Sequence, residues 1–157
     1  MRLEGKVAIV TGSSRGIGAC IARRYGKEGA RVAVVAHTNL DKAEAVAGEI
    51  VAAGGEAKAF QADVAKVSEC DRLAGEVKAA FGTVDILVNN AGIFFATTIE
   101  ETTEDIWNSQ VDLNMKGSFF MARAVVPGMK AKGGGKIINV TSIAGVRGFP
   151  NSGAYCS

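Results

Sequence analysis

The chain has 157 residues, 48% of them apolar, 22% charged and 6% aromatic, which supplies material for one core and excludes a disordered or fibrous chain. Eighteen basic against sixteen acidic residues leave a formal charge of +2, without the clustered excess that marks a nucleic-acid or membrane surface, so neither partner is indicated. The three cysteines, Cys20, Cys70 and Cys156, share no disulfide or metal spacing, which points to a reduced, cytoplasmic setting and to no metal site.

The opening MRLEGKVAIVTG carries only a short apolar run and predicts a strand over Val7–Thr11, not a signal peptide. No stretch approaches the ~18 consecutive apolar residues of a membrane span. The glycine-rich turn Thr11–Gly18 then opens a helix with Ile17, Ile21 and Tyr25 at four-residue spacing, a predicted core stripe. A second strand is expected over Arg31–Ala36, followed by a helix that Asp41 caps and that buries Ala43, Ala47 and Ile50. The third strand is Ala57–Ala62. Ser68 with Asp71 reads as the cap of the next helix, whose stripe is Leu73, Val77 and Phe81. The fourth strand spans Val84–Asn89, and Thr102 with Asp105 caps a long helix from about Thr103 to about Ala131, with Pro127 near its end. The fifth strand is Lys136–Ser142. Gly29, Gly54-Gly55, Gly82 and Gly133-Gly134-Gly135 stand where each helix should stop. Most of these strands are apolar without strict alternation, as strands covered on both faces are.

Strands alternating with helices define an α/β fold. Right-handed crossovers give a Rossmann-type doubly wound parallel sheet in the order 3-2-1-4-5. Such folds normally add a sixth strand, and the sequence stops at Ser157, about fifteen residues past the fifth. Residues 1–157 therefore read as a single incomplete dinucleotide-binding domain with one sheet edge uncovered, an aggregation liability.

In Thr11-Gly12-Ser13-Ser14-Arg15-Gly16-Ile17-Gly18, Gly12 makes the tight turn, Gly16 admits the pyrophosphate and Gly18 lets the helix approach the strand. The spacing G-x3-G-x-G departs from the common G-x-G-x-x-G, so position after a strand gives it weight. After the second strand, Ala36-His37-Thr38-Asn39 offers no carboxylate to take ribose hydroxyls, whereas Arg15, with His37 and Thr38, can receive a 2′-phosphate. This favours NADP(H) over NAD(H).

With that turn, the chain from about Lys6 onward resembles the classical short-chain dehydrogenase/reductase family. TGSSRGIG is similar to its TGxxxGxG turn, Asp63-Val64 to its adenine-contacting pair, and Asn89-Asn90-Ala91-Gly92 to its NNAG motif. Asn114, Ser142 and Tyr155 match its catalytic Asn, Ser and Tyr. The wording is similar to the 3-oxoacyl-acyl-carrier-protein reductase branch. The resemblance implies cofactor contacts at Gly12, Ser14, Arg15, Gly16, Ile17, Gly18, His37, Asp63, Val64, Asn90, Ala91 and Gly92. Tyr155, a phenol protonated at neutral pH, would be the general acid in carbonyl reduction and the base in oxidation. Ser142 would donate to the same carbonyl oxygen. Asn114, expected buried in mid-helix, would interrupt the backbone ladder or hold a water in a proton relay.

The family's Lys follows its Tyr by four residues, which here would be position 159, past the end of the sequence. Also absent are the later elements that supply the family's substrate loop and much of its oligomer interface. The expectation is thus an N-terminal fragment, nearly inactive alone, of a homo-oligomeric reductase acting on a small-molecule ketone or 3-oxoacyl thioester. An NAD(H)-dependent alcohol or polyol dehydrogenase and a non-catalytic dinucleotide-binding module stay open. Trp107, Phe94, Phe95, Phe119 and Phe120 read as core or subunit-contact residues, with Phe94 and Phe95 near enough to NNAG to line a pocket, and Cys156 as a small filler.

Overall fold

In a computed structural model that describes residues 1–157, five strands form one parallel sheet in the order β3-β2-β1-β4-β5. They are β1 (Val7–Val10), β2 (Arg31–Ala36), β3 (Glu56–Gln61), β4 (Ile86–Asn89) and β5 (Lys136–Asn139). Between them run α1 (Gly16–Lys27), α2 (Leu40–Ala52) and α3 (Val67–Phe81). The predicted long helix is α4 (Glu104–Val111), a π-helical turn (Asp112–Gly117) and α5 (Ser118–Ala131) in unbroken succession. A 3-10 turn (Ile143–Gly145) and the short α6 (Gly153–Cys156) follow β5. The order and the parallel sense are those expected from the sequence.

Period-two alternation along the central strands sorts the core into two layers. Val7, Ile9, Ala33, Val35 and Leu87 face α3 and α5, where they meet Leu73, Val77, Met121 and Val125. Ala8, Val10, Val32, Val34 and Val88 face α1 and α2, where they meet Ala19, Ala22, Ala43 and Ile50. β1, β2 and β4 are thus buried on both faces, whereas every residue of β5, at one edge of the sheet, is exposed. β3, the other edge, alternates instead.

Several expectations are corrected. The fully buried face of α1 is Gly18, Ala19, Ala22 and Gly26; of the expected stripe, Ile21 and Tyr25 are half-buried against the core, and Ile17, 65% exposed, is not part of it. Small residues win that face because a Cβ at Gly26 would collide with the side chain of Ile50 on α2. Lys66, not Ser68, is the residue before α3, and Ser68 lies inside the helix. Thr103, not Thr102, caps α4 by accepting from Ile106 N–H at 3.3 Å, while Thr102 Oγ1 donates to the Thr98 carbonyl. Asp41 sits in the first turn of α2 without making a cap hydrogen bond. Of the aromatics expected in the core or at a subunit contact, Trp107, Phe94, Phe95 and Phe119 are exposed and belong to neither layer and Phe120 only borders one, which removes the core alternative alone. The glycines expected at helix ends are there: Gly29, Gly54, Gly82 and Gly133 have positive φ.

Candidate active site

The cleft opens where β1 and β4 end side by side, the point at which the chain turns to opposite sides of the sheet. Two loops make its floor as one hydrogen-bonded piece. Thr11 Oγ1 accepts from the N–H groups of Asn90 and Ala91, each at 3.0 Å. Asn90 Nδ2 donates back to the carbonyls of Thr11 at 2.9 Å and Gly12 at 3.1 Å. A Cβ at Gly12 would stand 2.8 Å from Ala91 Cα, and one at Gly18 would stand 2.5 Å from both Asn90 Nδ2 and the Gly12 carbonyl oxygen. Glycine at these two places is what allows the loops and α1 to meet.

α1 begins with no side-chain cap and no acidic residue in its first turn. The N–H groups of Gly16, Ile17 and Gly18 have no partner in the chain, so the positive end of the helix dipole faces the cleft unopposed. Beside it, Ser13 is a structural strut: Oγ donates to the Val10 carbonyl at 2.6 Å and accepts from Val35 N–H at 2.9 Å, tying β1 to β2. The cleft measures about 420 Å³ and is lined by Gly12, Ser14, Arg15, Gly16, Ile17, His37, Asp63, Val64, Asn90, Ala91 and Gly92, with Ala36, Thr38, Ile93 and Leu113 among their neighbours. Gly18, alone of the predicted cofactor residues, lies buried behind the turn. Asp63 is the one carboxylate in this lining; its Oδ1 accepts from Ala65 N–H at 3.2 Å, and its Oδ2 lies 3.4 Å from Lys66 Nζ and 3.8 Å from His37 Nε2. These are exposed pairs worth about 0–1 kcal/mol, free to rearrange around a ligand.

Tyr155, Ser142 and Asn114 stand outside that lining and are not hydrogen-bonded to one another. Asn114 lies in the π-helical turn, so the helical ladder changes register there, as anticipated. It is half-buried rather than buried, because it faces the loop after β4. Its Oδ1 accepts from Ile93 N–H and its Nδ2 donates to the Ile93 carbonyl, both at 2.9 Å. Ser142 accepts from Ala144 N–H at 3.2 Å, which leaves its own O–H proton free to donate elsewhere. Tyr155 is carried by α6, with its ring against Phe94 at a centroid distance of 4.9 Å and 60° between planes. The same loop then reaches Thr97, whose N–H donates to the Asn151 carbonyl at 2.8 Å. Residues 93–97 therefore connect the cleft floor, the π-helical turn and the tyrosine.

Sequence reasoning missed three participants: Thr11 as the clasp, Ile93 as the anchored residue, and Gln110. Gln110 is the single buried residue of α4, with Oε1 accepting from Phe95 N–H at 3.1 Å and Nε2 without a partner. Its four-residue spacing from Asn114 was the available signal, but a lone glutamine in an amphipathic helix reads as surface.

This cleft, at the switch point of a doubly wound sheet with an uncapped helix aimed into it, is of the dinucleotide-binding class. The chain matches the short chain dehydrogenase family over residues 6–157, and it belongs to that family, whose cofactor is a nicotinamide dinucleotide. It is 46% identical to a sorbitol dehydrogenase of Cereibacter sphaeroides, covering 100% of this chain and 60% of that protein. It is also 46% identical to a 3-oxoacyl-(acyl-carrier-protein) reductase of Staphylococcus epidermidis, covering 96% of this chain and 62% of that one. The crystal structure of a metagenomic short-chain oxidoreductase in complex with NADP superposes with a TM-score of 0.94 at 41% identity, over 99% of this chain and 71% of that one. A short chain dehydrogenase from Mycobacterium avium gives 0.92 at 36% identity, over 99% and 59%. The chain thus spans about 60% of the length of the curated relatives it matches. No helix is long and apolar enough to cross a membrane.

Proposed function

We propose that the protein is an NADP(H)-dependent oxidoreductase that reduces the carbonyl of a small ketone or 3-oxoacyl thioester to an alcohol. The observation that carries this reading is the shared loop: the segment that floors the dinucleotide cleft is also the one that packs on Tyr155. The cleft suits the cofactor in shape and charge. The N–H groups of Gly16, Ile17 and Gly18 would receive the pyrophosphate. Arg15, with His37 and Thr38, would receive the 2′-phosphate, and the segment Ala36–Asn39 carries no carboxylate of its own to take the ribose hydroxyls instead. Asp63 and Val64 would meet the adenine, and Asn90, Ala91 and Gly92 the adenosine ribose. When bound, the nicotinamide supplies the hydride.

The chain's own residues handle the oxygen. Tyr155 Oη gives its proton to the carbonyl oxygen as charge develops there. Ser142 Oγ, its lone pair engaged by Ala144 N–H, directs its O–H to the same oxygen and steadies the developing negative charge. Asn114 holds Ile93, and with it the loop between cleft and tyrosine. The relative named for sorbitol favours a second reading, oxidation of a polyol, in which Tyr155 Oη would accept the proton instead.

Titration of NADPH against NADH tests the cofactor assignment. NADPH should bind at least about tenfold more tightly, and Arg15→Ala should erase most of that margin while leaving NADH affinity in place. Equal affinities, or an Arg15→Ala variant that weakens both alike, would overturn it. A screen of ketones and 3-oxoacyl thioesters against polyols then separates the two substrate readings.

A further inference from the structure

We propose that Gln110 is a positioning residue for Tyr155, acting through Phe95 and Phe94; the proposal rests on the reading of Tyr155 as the proton donor. α4 has eight residues and buries one, and that one is a glutamine at 1% exposure. Its Nε2 has no partner, so the amide is a less stable filling for the site than a leucine of similar size would be. What glutamine has and leucine lacks is Oε1, and Oε1 serves a single group, the N–H of Phe95.

That hydrogen bond bears directly on the tyrosine. Asn114 holds Ile93 by both polar groups of its backbone, and Gln110, one turn earlier on the same helical run, holds Phe95. Phe94 lies between the two clamps. It is 50% exposed, so burial alone does not fix its ring, yet that ring stands against Tyr155. The ring that borders Tyr155 is therefore carried by a loop whose geometry Gln110 and Asn114 determine, and through it they bear on the aim of Oη. Freed from Oε1, the peptide between Phe94 and Phe95 can rotate, and the ring leaves the tyrosine.

Gln110→Leu removes the acceptor at similar bulk, and Gln110→Glu keeps an acceptor oxygen in place. In Gln110→Leu, amide exchange at Phe95 should quicken about tenfold and the ring-proton resonances of Tyr155 should shift, while NADPH affinity stays within about twofold. In the whole protein, carbonyl reduction should lose at least about tenfold in kcat with KM for NADPH unchanged, and Gln110→Glu should recover both the exchange protection and most of the kcat. Gln110→Met carries the same readouts if the leucine variant does not fold. Wild-type protection at Phe95 and unmoved Tyr155 resonances in Gln110→Leu would overturn the proposal, as would equal kcat losses in the leucine and glutamate variants. A wild-type protein that binds NADPH no more tightly than NADH would instead overturn the proposed function, and the exchange and resonance measurements would still decide the role of Gln110.

Discussion

Asn114 brackets a single residue, Ile93, accepting from its N–H and donating to its carbonyl, both at 2.9 Å, so that one side chain completes both backbone hydrogen bonds of a loop residue. Asn114→Leu should leave both groups without a protein partner and cost about 1–3 kcal/mol, softened by the water that a half-buried site admits. Asn114→Asp, which keeps the acceptor and loses the donor, should fall between. Urea unfolding of the three proteins measures the order, and a leucine variant as stable as wild type would show that the bracket contributes nothing.

Thr11 performs the corresponding task at the cleft floor from a position only 2% exposed. Thr11→Val matches its shape and leaves the N–H groups of Asn90 and Ala91 unpaired, at a cost of about 2 kcal/mol. Thr11→Ser keeps the oxygen and should recover most of that loss. The comparison of denaturation midpoints isolates the hydroxyl from the methyl.

Gly18 is closed to any side chain. Gly18→Ala brings a methyl within 2.5 Å of Asn90 Nδ2 and of the Gly12 carbonyl, so α1 must back away from the turn. We expect about 1–3 kcal/mol of destabilisation and a clear loss of NADPH affinity, since the displaced helix end is the proposed anion site. Calorimetric titration that found unaltered affinity would place the pyrophosphate elsewhere.

Asp85 gives the fold an acid-sensitive tie. Burial pushes its carboxyl up, but Lys132 Nζ at 2.6 Å, Val7 N–H at 2.9 Å and Lys6 outweigh it and hold the group below the ordinary carboxylate range. With a folded-state value below the unfolded one, the stabilisation is complete above about pH 4 and is lost as pH falls through the folded-state value. Asp85→Asn should be less stable than wild type at neutral pH, and the gap should close on acidification. Unfolding midpoints that stay equally separated down the acid limb would contradict this.

Strand order and the place of the glycine turn were legible in the sequence because both rest on local signals: β-branched runs between helical periods, and glycines directly after a strand. What escaped depends on partners distant in sequence. The face of α1 that packs most closely is the one with the smallest side chains, since Gly26 must admit Ile50, whereas hydrophobic periodicity selects the larger Ile21 and Tyr25, which only flank it, and Ile17, which is exposed. Asn114 could be placed in the helical run, but not on Ile93, and Gln110 gave no sign that an isolated backbone N–H across the loop needed its oxygen. The cap at Thr103 was misplaced by one residue because Thr102 and Thr103 are equally good acceptors until the chain path chooses.

Because successive residues of β1, β2 and β4 point to opposite layers, the sheet is a thermodynamic insulator: no side chain is shared between the α1–α2 compartment and the α3–α5 compartment. Leu73→Ala, at about 2–5 kcal/mol, and Ile50→Val, at about 0.5–1.5 kcal/mol, should therefore sum in the double variant to within about 0.5 kcal/mol. Stabilising changes can be accumulated in either compartment without negotiating with the other, and their effects can be tallied separately.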